Sequence, residues 1–164
     1  MNTLQKMSFR VSSLLVLTFV FVSLISCKKD SDEPTPSEIG LEGSWQITAI
    51  TVTPPQSGIT DFLAFYNGFA GNQCLSTIKF TFKVGGKIET TIPAGCESAK
   101  AAAETQLGLN DNTTWKVNGD KLTLTSTTTN EYTIKVDGST MNLTNTTVDS
   151  NGTTYTYLFV FKRV

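Results

Sequence analysis

From Trp45 onward, apolar and polar residues alternate with a period of two in one short run after another, the pattern of half-buried strands. Trp45, Ile47 and Ala49 lead the first run. Ile50 and Val52 then continue on the opposite parity, which predicts a bend or bulge near Ala49. Pro54-Pro55 predicts the end of this strand, because proline cannot donate a ladder hydrogen bond. Over residues 59–69 the period changes: Ile59, Phe62, Leu63, Phe65, Tyr66 and Phe69 recur at three- and four-residue spacing, as on one broad helical face. Thr60 is the expected cap of this helix, and Gly68 weakens its end.

Residues 77–83 and 87–92 alternate cleanly on either side of Val84-Gly85-Gly86, which suits a three-residue hairpin loop. Pairing Lys83 with Lys87 sets Phe82 opposite Ile88, Phe80 opposite Thr90 and Ile78 opposite Ile92. The same register, carried outward, brings Cys74 opposite Cys96. Residues 97–107 are alanine-rich and poor in β-branched side chains, so they predict a second short helix, a connector that stops at Gly108. Strands resume at residues 114–117, 121–125, 131–136 and 141–144, separated by Asn118-Gly119-Asp120 and Asp137-Gly138 turns. In the last run Tyr155, Tyr157, Phe159 and Phe161 share one face, while Leu158 and Val160 share the other. A strand apolar on both faces needs cover on both, so it is expected to close against the first strand.

The first 26 residues read differently. Lys6 and Arg10 precede a mostly apolar stretch, residues 11–25, shorter than the roughly 20 residues that cross a bilayer comfortably. Leu24-Ile25-Ser26-Cys27 resembles the lipobox of bacterial lipoproteins. That resemblance implies cleavage before Cys27, acylation of Cys27, and attachment to the membrane through several acyl chains, since one chain alone anchors only marginally. Residues 27–40, with Lys28-Lys29-Asp30-Ser31-Asp32-Glu33 followed by Pro34 and Pro36, have the composition of a solvated tether. They loosely resemble the export signal of Bacteroidetes surface lipoproteins. The expected location is the cell outer membrane, with its periplasmic and extracellular faces both open.

Leu41-Glu42-Gly43-Ser44-Trp45, with its Gly-x-Trp triplet, stands before this strand series. Together with Trp115-Lys116-Val117-Asn118-Gly119-Asp120-Lys121-Leu122-Thr123-Leu124 and the closing Phe159-Val160-Phe161-Lys162-Arg163, it resembles the lipocalin-like domains of bacterial lipoproteins, especially those of Bacteroidetes. The resemblance spans about residues 41–164. It implies an all-β fold: a small antiparallel barrel of the lipocalin or calycin type, about eight strands, with one or two short helices in the connections. In such barrels the first long connection often crosses an open end. The helix over residues 59–69 is then either a lid over a ligand cavity or a plug for an incomplete core.

Charge and composition narrow the function. Without Lys6 and Arg10 the remaining 138 residues carry 11 basic and 14 acidic side chains and no basic cluster, which argues against a nucleic-acid partner. With no histidine in the chain, Ser–His–Asp and Cys–His systems are excluded. Glu89 and Glu131 alternate with apolar residues and read as outward solubilising groups. Gly85-Gly86 lacks the flanks of a phosphate loop. No catalytic residue, metal site or cofactor is expected. Cys74 and Cys96, in an exported chain without histidine or a Cys-x-x-Cys motif, are expected to form a disulfide. Two readings stay open. One is a non-enzymatic binding domain for a small hydrophobic or amphipathic ligand, with Trp45, Phe62, Phe65, Phe80, Trp115, Tyr132 and Tyr157 as candidate contacts. The other is a structural or protein-interaction module of an envelope assembly, in which those aromatics are core. A cavity bordered by Phe62 or Phe65 favours the first; a filled barrel with an exposed apolar patch favours the second.

Overall fold

Alternation with period two, broken by tight glycine and asparagine turns, gives strands that each pair with their neighbour in an antiparallel meander. The computed structural model describes residues 39–164; the leader, Cys27 and the tether through residue 38 lie outside them. The elements are β1 (Gly43–Gln56), β2 (Ile59–Asp61), α1 (Phe62–Ala70), α2 (Cys74–Thr77), β3 (Lys79–Phe82), β4 (Ile88–Thr91), α3 (Ala99–Leu107), β5 (Thr114–Asn118), β6 (Lys121–Thr125), β7 (Thr129–Asp137), β8 (Thr140–Val148) and β9 (Thr154–Arg163). The strand order is β4-β3-β1-β9-β8-β7-β6-β5, with β2 added beside β1. The two ends of this sheet meet. Trp115 N donates to Gly86 O at 2.7 Å and Ile88 N to Thr113 O at 3.0 Å, across a Lys87–Thr114 bridge. The result is a closed antiparallel eight-strand barrel with one extra strand, the lipocalin-like all-β architecture.

The last strand pairs with the first, as expected. β1 lies between β3 and β9, pairing Trp45 with Phe80 on one side and with Arg163 on the other. Ile47 faces Phe161 and Ala49 faces Val160, so Thr48 is the extra residue of a bulge. That bulge switches the inward parity from Trp45 and Ile47 to Ile50 and Val52, all four buried. In the hairpin, Phe82 faces Ile88 and Phe80 faces Thr90.

Four details differ from the sequence reading. First, β1 runs past Pro54-Pro55 to Gln56. The ladder with β9 has already ended at Thr53–Thr156, and the prolines fall between the Thr51–Asp61 and Gln56–Ile59 pairs with β2. Neither proline is asked for a ladder N–H. Second, Ile59 and Thr60 belong to β2, and the helix cap is Asp61, whose Oδ1 accepts from Ala64 N at 2.9 Å. Third, the β3–β4 ladder stops at Lys79–Thr91, short of an Ile78–Ile92 pair, and Cys74 starts a helical turn. The disulfide is formed nonetheless: the Cys74 and Cys96 Cα atoms are 5.2 Å apart. Fourth, among the described residues no element is layered over the outer face of β9, and Leu158 and Val160 are half-buried among the outward residues of β1 and β8.

One end of the barrel is packed solid. Trp45, Phe80, Phe82, Leu122, Met141 and Phe161 are fully buried there, with Phe80 edge-on to Phe161 at 6.2 Å. Trp45 Nε1 donates to Leu41 O at 2.8 Å, and the Arg163 guanidinium lies 4.2 Å above the Trp45 ring. Arg163 also donates through Nη1 to Glu42 O at 2.7 Å and through Nη2 to Gly40 O, tying the first described residues to the last strand. Gly43 is required here. Its φ is +122°, and a Cβ would meet Arg163 Nη1 at 2.5 Å.

Candidate functional site

The opposite end is built differently. β3 and β4 have four residues each, and β3 pairs only with Gly43 to Gln46 of β1. Beyond Gln46 the strand neighbour of β1 on that side is only the three-residue β2, and α1 and α2 pack against β1. The Cys74–Cys96 bridge fastens α2 to the turn ahead of α3. Ala103 and Leu107 of α3 are buried, as is Leu109 just after it, so this helix is part of the closure rather than a bare connector.

Between these helices and the strand ends lies a cavity of about 240 Å³. Ile50, Phe62 and Phe159 supply its apolar side, while Asn130, Asn145, Thr147 and Gln106 supply amides and a hydroxyl. Tyr132 and Tyr157 stand between the two. Phe62 lies 6.1 Å from Tyr157, Tyr157 stacks on Phe159 at 6.4 Å, and Tyr132 meets Phe159 edge-on at 5.8 Å. Tyr157 Oη donates to Gln56 Oε1 at 2.6 Å and Tyr132 Oη to Leu107 O at 3.4 Å. Burial pushes the Tyr132 hydroxyl up to about 12, so it stays protonated and uncharged at neutral pH. No acidic or basic side chain lines this cavity among the described residues. An apolar wall facing uncharged hydrogen-bonding groups suits an amphipathic molecule better than an ion.

The seven candidate contacts separate. Phe62, Tyr132 and Tyr157 come together around the cavity. Trp45 and Phe80 do not reach it: both are fully buried in the packed end, facing each other across the β1–β3 ladder. Trp115 lies edge-on to Phe82 at 5.9 Å, and its Nε1 donates to Lys87 O at 3.1 Å, so it seals the seam where the barrel closes. Phe65 points outward from α1, 46% exposed, and stacks on the still more exposed Phe69 at 6.4 Å. Periodicity alone put Phe62 and Phe65 on one face. Only Leu63 of α1 is fully buried, because the helix lies across the rim with one edge turned inward.

Asn130 and Asn145 were missed by the sequence reading. The signal for them was present: Asn130 shares parity with Tyr132 and Ile134, and Asn145 with Met141 and Leu143. Gly108, at the end of α3, sits so close to Asn130 that a Cβ would come within 2.7 Å of Nδ2. Glu89 and Glu131 lie on the outside, in exposed ion pairs with Lys83 at 2.9 Å and Lys121 at 3.2 Å. Among the described residues, no group of three or more His, Cys, Asp or Glu side chains is placed to hold a metal ion, and no helix is long and apolar enough to cross a membrane. Neither a protein-family model nor a curated protein sequence matches the chain.

Proposed function

We propose that this chain is a lipid-anchored, non-enzymatic binding protein of the outer membrane, whose barrel takes a small amphipathic ligand at its open end. The observation that carries the ligand reading is the cavity bordered by Phe62, with Ile50 and Phe159 on one side and uncharged polar groups on the other. A barrel that needed every aromatic for its core would have no such space. The lipocalin-like resemblance of the sequence points the same way. Its expected test is a titration with a fluorescent alkyl probe. Phe62→Ala lowers affinity roughly tenfold by removing the aromatic wall, whereas Phe65→Ala, on the outer side of the same helix, leaves it unchanged. Equal effects, or none, would reject the cavity as the binding site.

The anchor rests on the leader pattern and Cys27, which lie outside the described residues. Replacing Cys27 with Ser is expected to abolish lipid labelling and release folded protein from membranes; retained labelling would overturn the anchor. An envelope-interaction module is the second reading, favoured by the exposed, stacked Phe65 and Phe69 beside a groove of about 320 Å³ between α1 and α3. The two readings use different faces of α1, so the Phe62 and Phe65 variants also discriminate between them.

A further inference from the structure

The ladder between β7 and β8 is shorter than either strand. It runs from Asp137–Thr140 to Thr133–Thr144 and stops. β7 continues to Thr129 with β6 as its partner, and β8 continues to Val148 with β9 as its partner. Above Thr133 and Thr144 the barrel wall therefore parts, and the facing strand edges carry backbone groups with no ladder partner on that side. A cleft of about 440 Å³ occupies the gap. Asn130, Tyr132 and Asn145 line both this cleft and the inner cavity, so the two adjoin at these three side chains. A side-chain bond bridges the gap, from Asn145 Nδ2 to Glu131 O at 2.8 Å.

The chemistry of this slot is specific in kind. Its inner lip presents two carboxamides and an aromatic ring, and its outer lip presents threonine hydroxyls. The charged groups there, Lys121 and Glu131, are held to each other at 3.2 Å and leave no net charge to attract an ion. Carboxamides can donate and accept at once, hydroxyls likewise, and an aromatic face packs against C–H groups. Resting on the ligand-binding reading above, we infer that the ligand carries a neutral, polyhydroxylated head group, of the saccharide type, which lies in the β7–β8 slot while its alkyl part enters the cavity beneath Phe62. An anionic or cationic head group would find its countercharge already paired in an exposed ion pair, and would gain little there. A hydroxylated one exchanges water for amides and free strand edges at little cost.

The test uses the full chain carrying Cys27→Ser, freed of detergent, and a matched set of probes below their micelle-forming concentrations: octyl β-glucoside, octanoate, octyltrimethylammonium and methyl β-glucoside. Binding is followed by backbone amide chemical shifts. Octyl β-glucoside is expected to bind roughly tenfold tighter than the two charged probes, with shifts concentrated at residues 130–133 and 144–147. Asn130→Ala and Asn145→Ala should each remove most of that preference, lowering affinity for octyl β-glucoside severalfold more than affinity for the charged probes. Methyl β-glucoside binding as tightly as octyl β-glucoside would also support the head-group site and point to a free saccharide as the source. Equal binding of the three octyl probes, with shifts confined to Ile50, Phe62 and Phe159, would overturn the slot and leave the cavity standing. No binding of any probe would overturn both.

Discussion

Replacing Trp45 with alanine is expected to destabilise the domain by about 3–5 kcal/mol, the range for removing a large buried aromatic. The site gives three physical reasons for a value at the upper end. Trp45 is fully buried between β3 and β9, so the cavity left behind is enclosed by ladders that cannot collapse into it. Its Nε1 satisfies Leu41 O, which would be left without that partner beside a buried leucine. Arg163 would lose the ring it lies against while still holding Glu42 O and Gly40 O. Chemical denaturation followed by circular dichroism measures the loss as a lower midpoint with an unchanged slope. Trp115→Ala makes a useful comparison because Trp115 sits at the seam, where the Gly86–Trp115 backbone bond survives the substitution. A Trp45→Ala protein within about 1 kcal/mol of the parent would mean that this end is not the packed core described.

The second large effect concerns Cys74 and Cys96. Replacing both with serine should cost on the order of 3 kcal/mol, because the bridge closes a loop spanning a sequence separation of 22 and limits the unfolded chain. Location makes part of this loss visible locally. The bridge fastens α2 to the turn that leads into α3, and the two helices with α1 form the side of the barrel that β3 and β4 are too short to build. Hydrogen exchange should therefore rise first over α1 to α3, before the β7–β9 ladders are affected. Uniformly faster exchange would assign the bridge a role in the unfolded state alone.

Most of the fold was legible because its signals are local. Period-two alternation, the Gly85-Gly86 loop and the parity switch at Ala49 each constrain only a few neighbouring residues, and the ladders follow from them. Pairing of the last strand with the first was legible too, from the two-sided apolar character of residues 155–161. The errors came where tertiary context overrides a local rule. Pro54 and Pro55 normally stop a strand, yet β1 passes through them because no partner needs their N–H at that point. Aromatic residues marked the interior without saying which part of it was filled: Trp45 and Phe80 lie in the packed end, Tyr132 and Tyr157 at the open one. That division depends on how far β3 reaches along β1 and β4 along β3, lengths set by where the chain turns out of α2 and toward Cys96. The polar side of the cavity was the least legible part. Asn130 and Asn145 look like ordinary strand-end residues until the parting of β7 from β8 turns them to a shared space.

Whether this space holds a molecule is measured most directly by native mass spectrometry of the full chain carrying Cys27→Ser, recovered from its own cells without detergent. The account predicts a species heavier than the polypeptide by one small molecule, extractable into organic solvent and depleted by Phe62→Ala while the protein stays folded. Protein that is recovered only at its polypeptide mass, and that Phe62→Ala leaves unchanged in every probe titration, would contradict it.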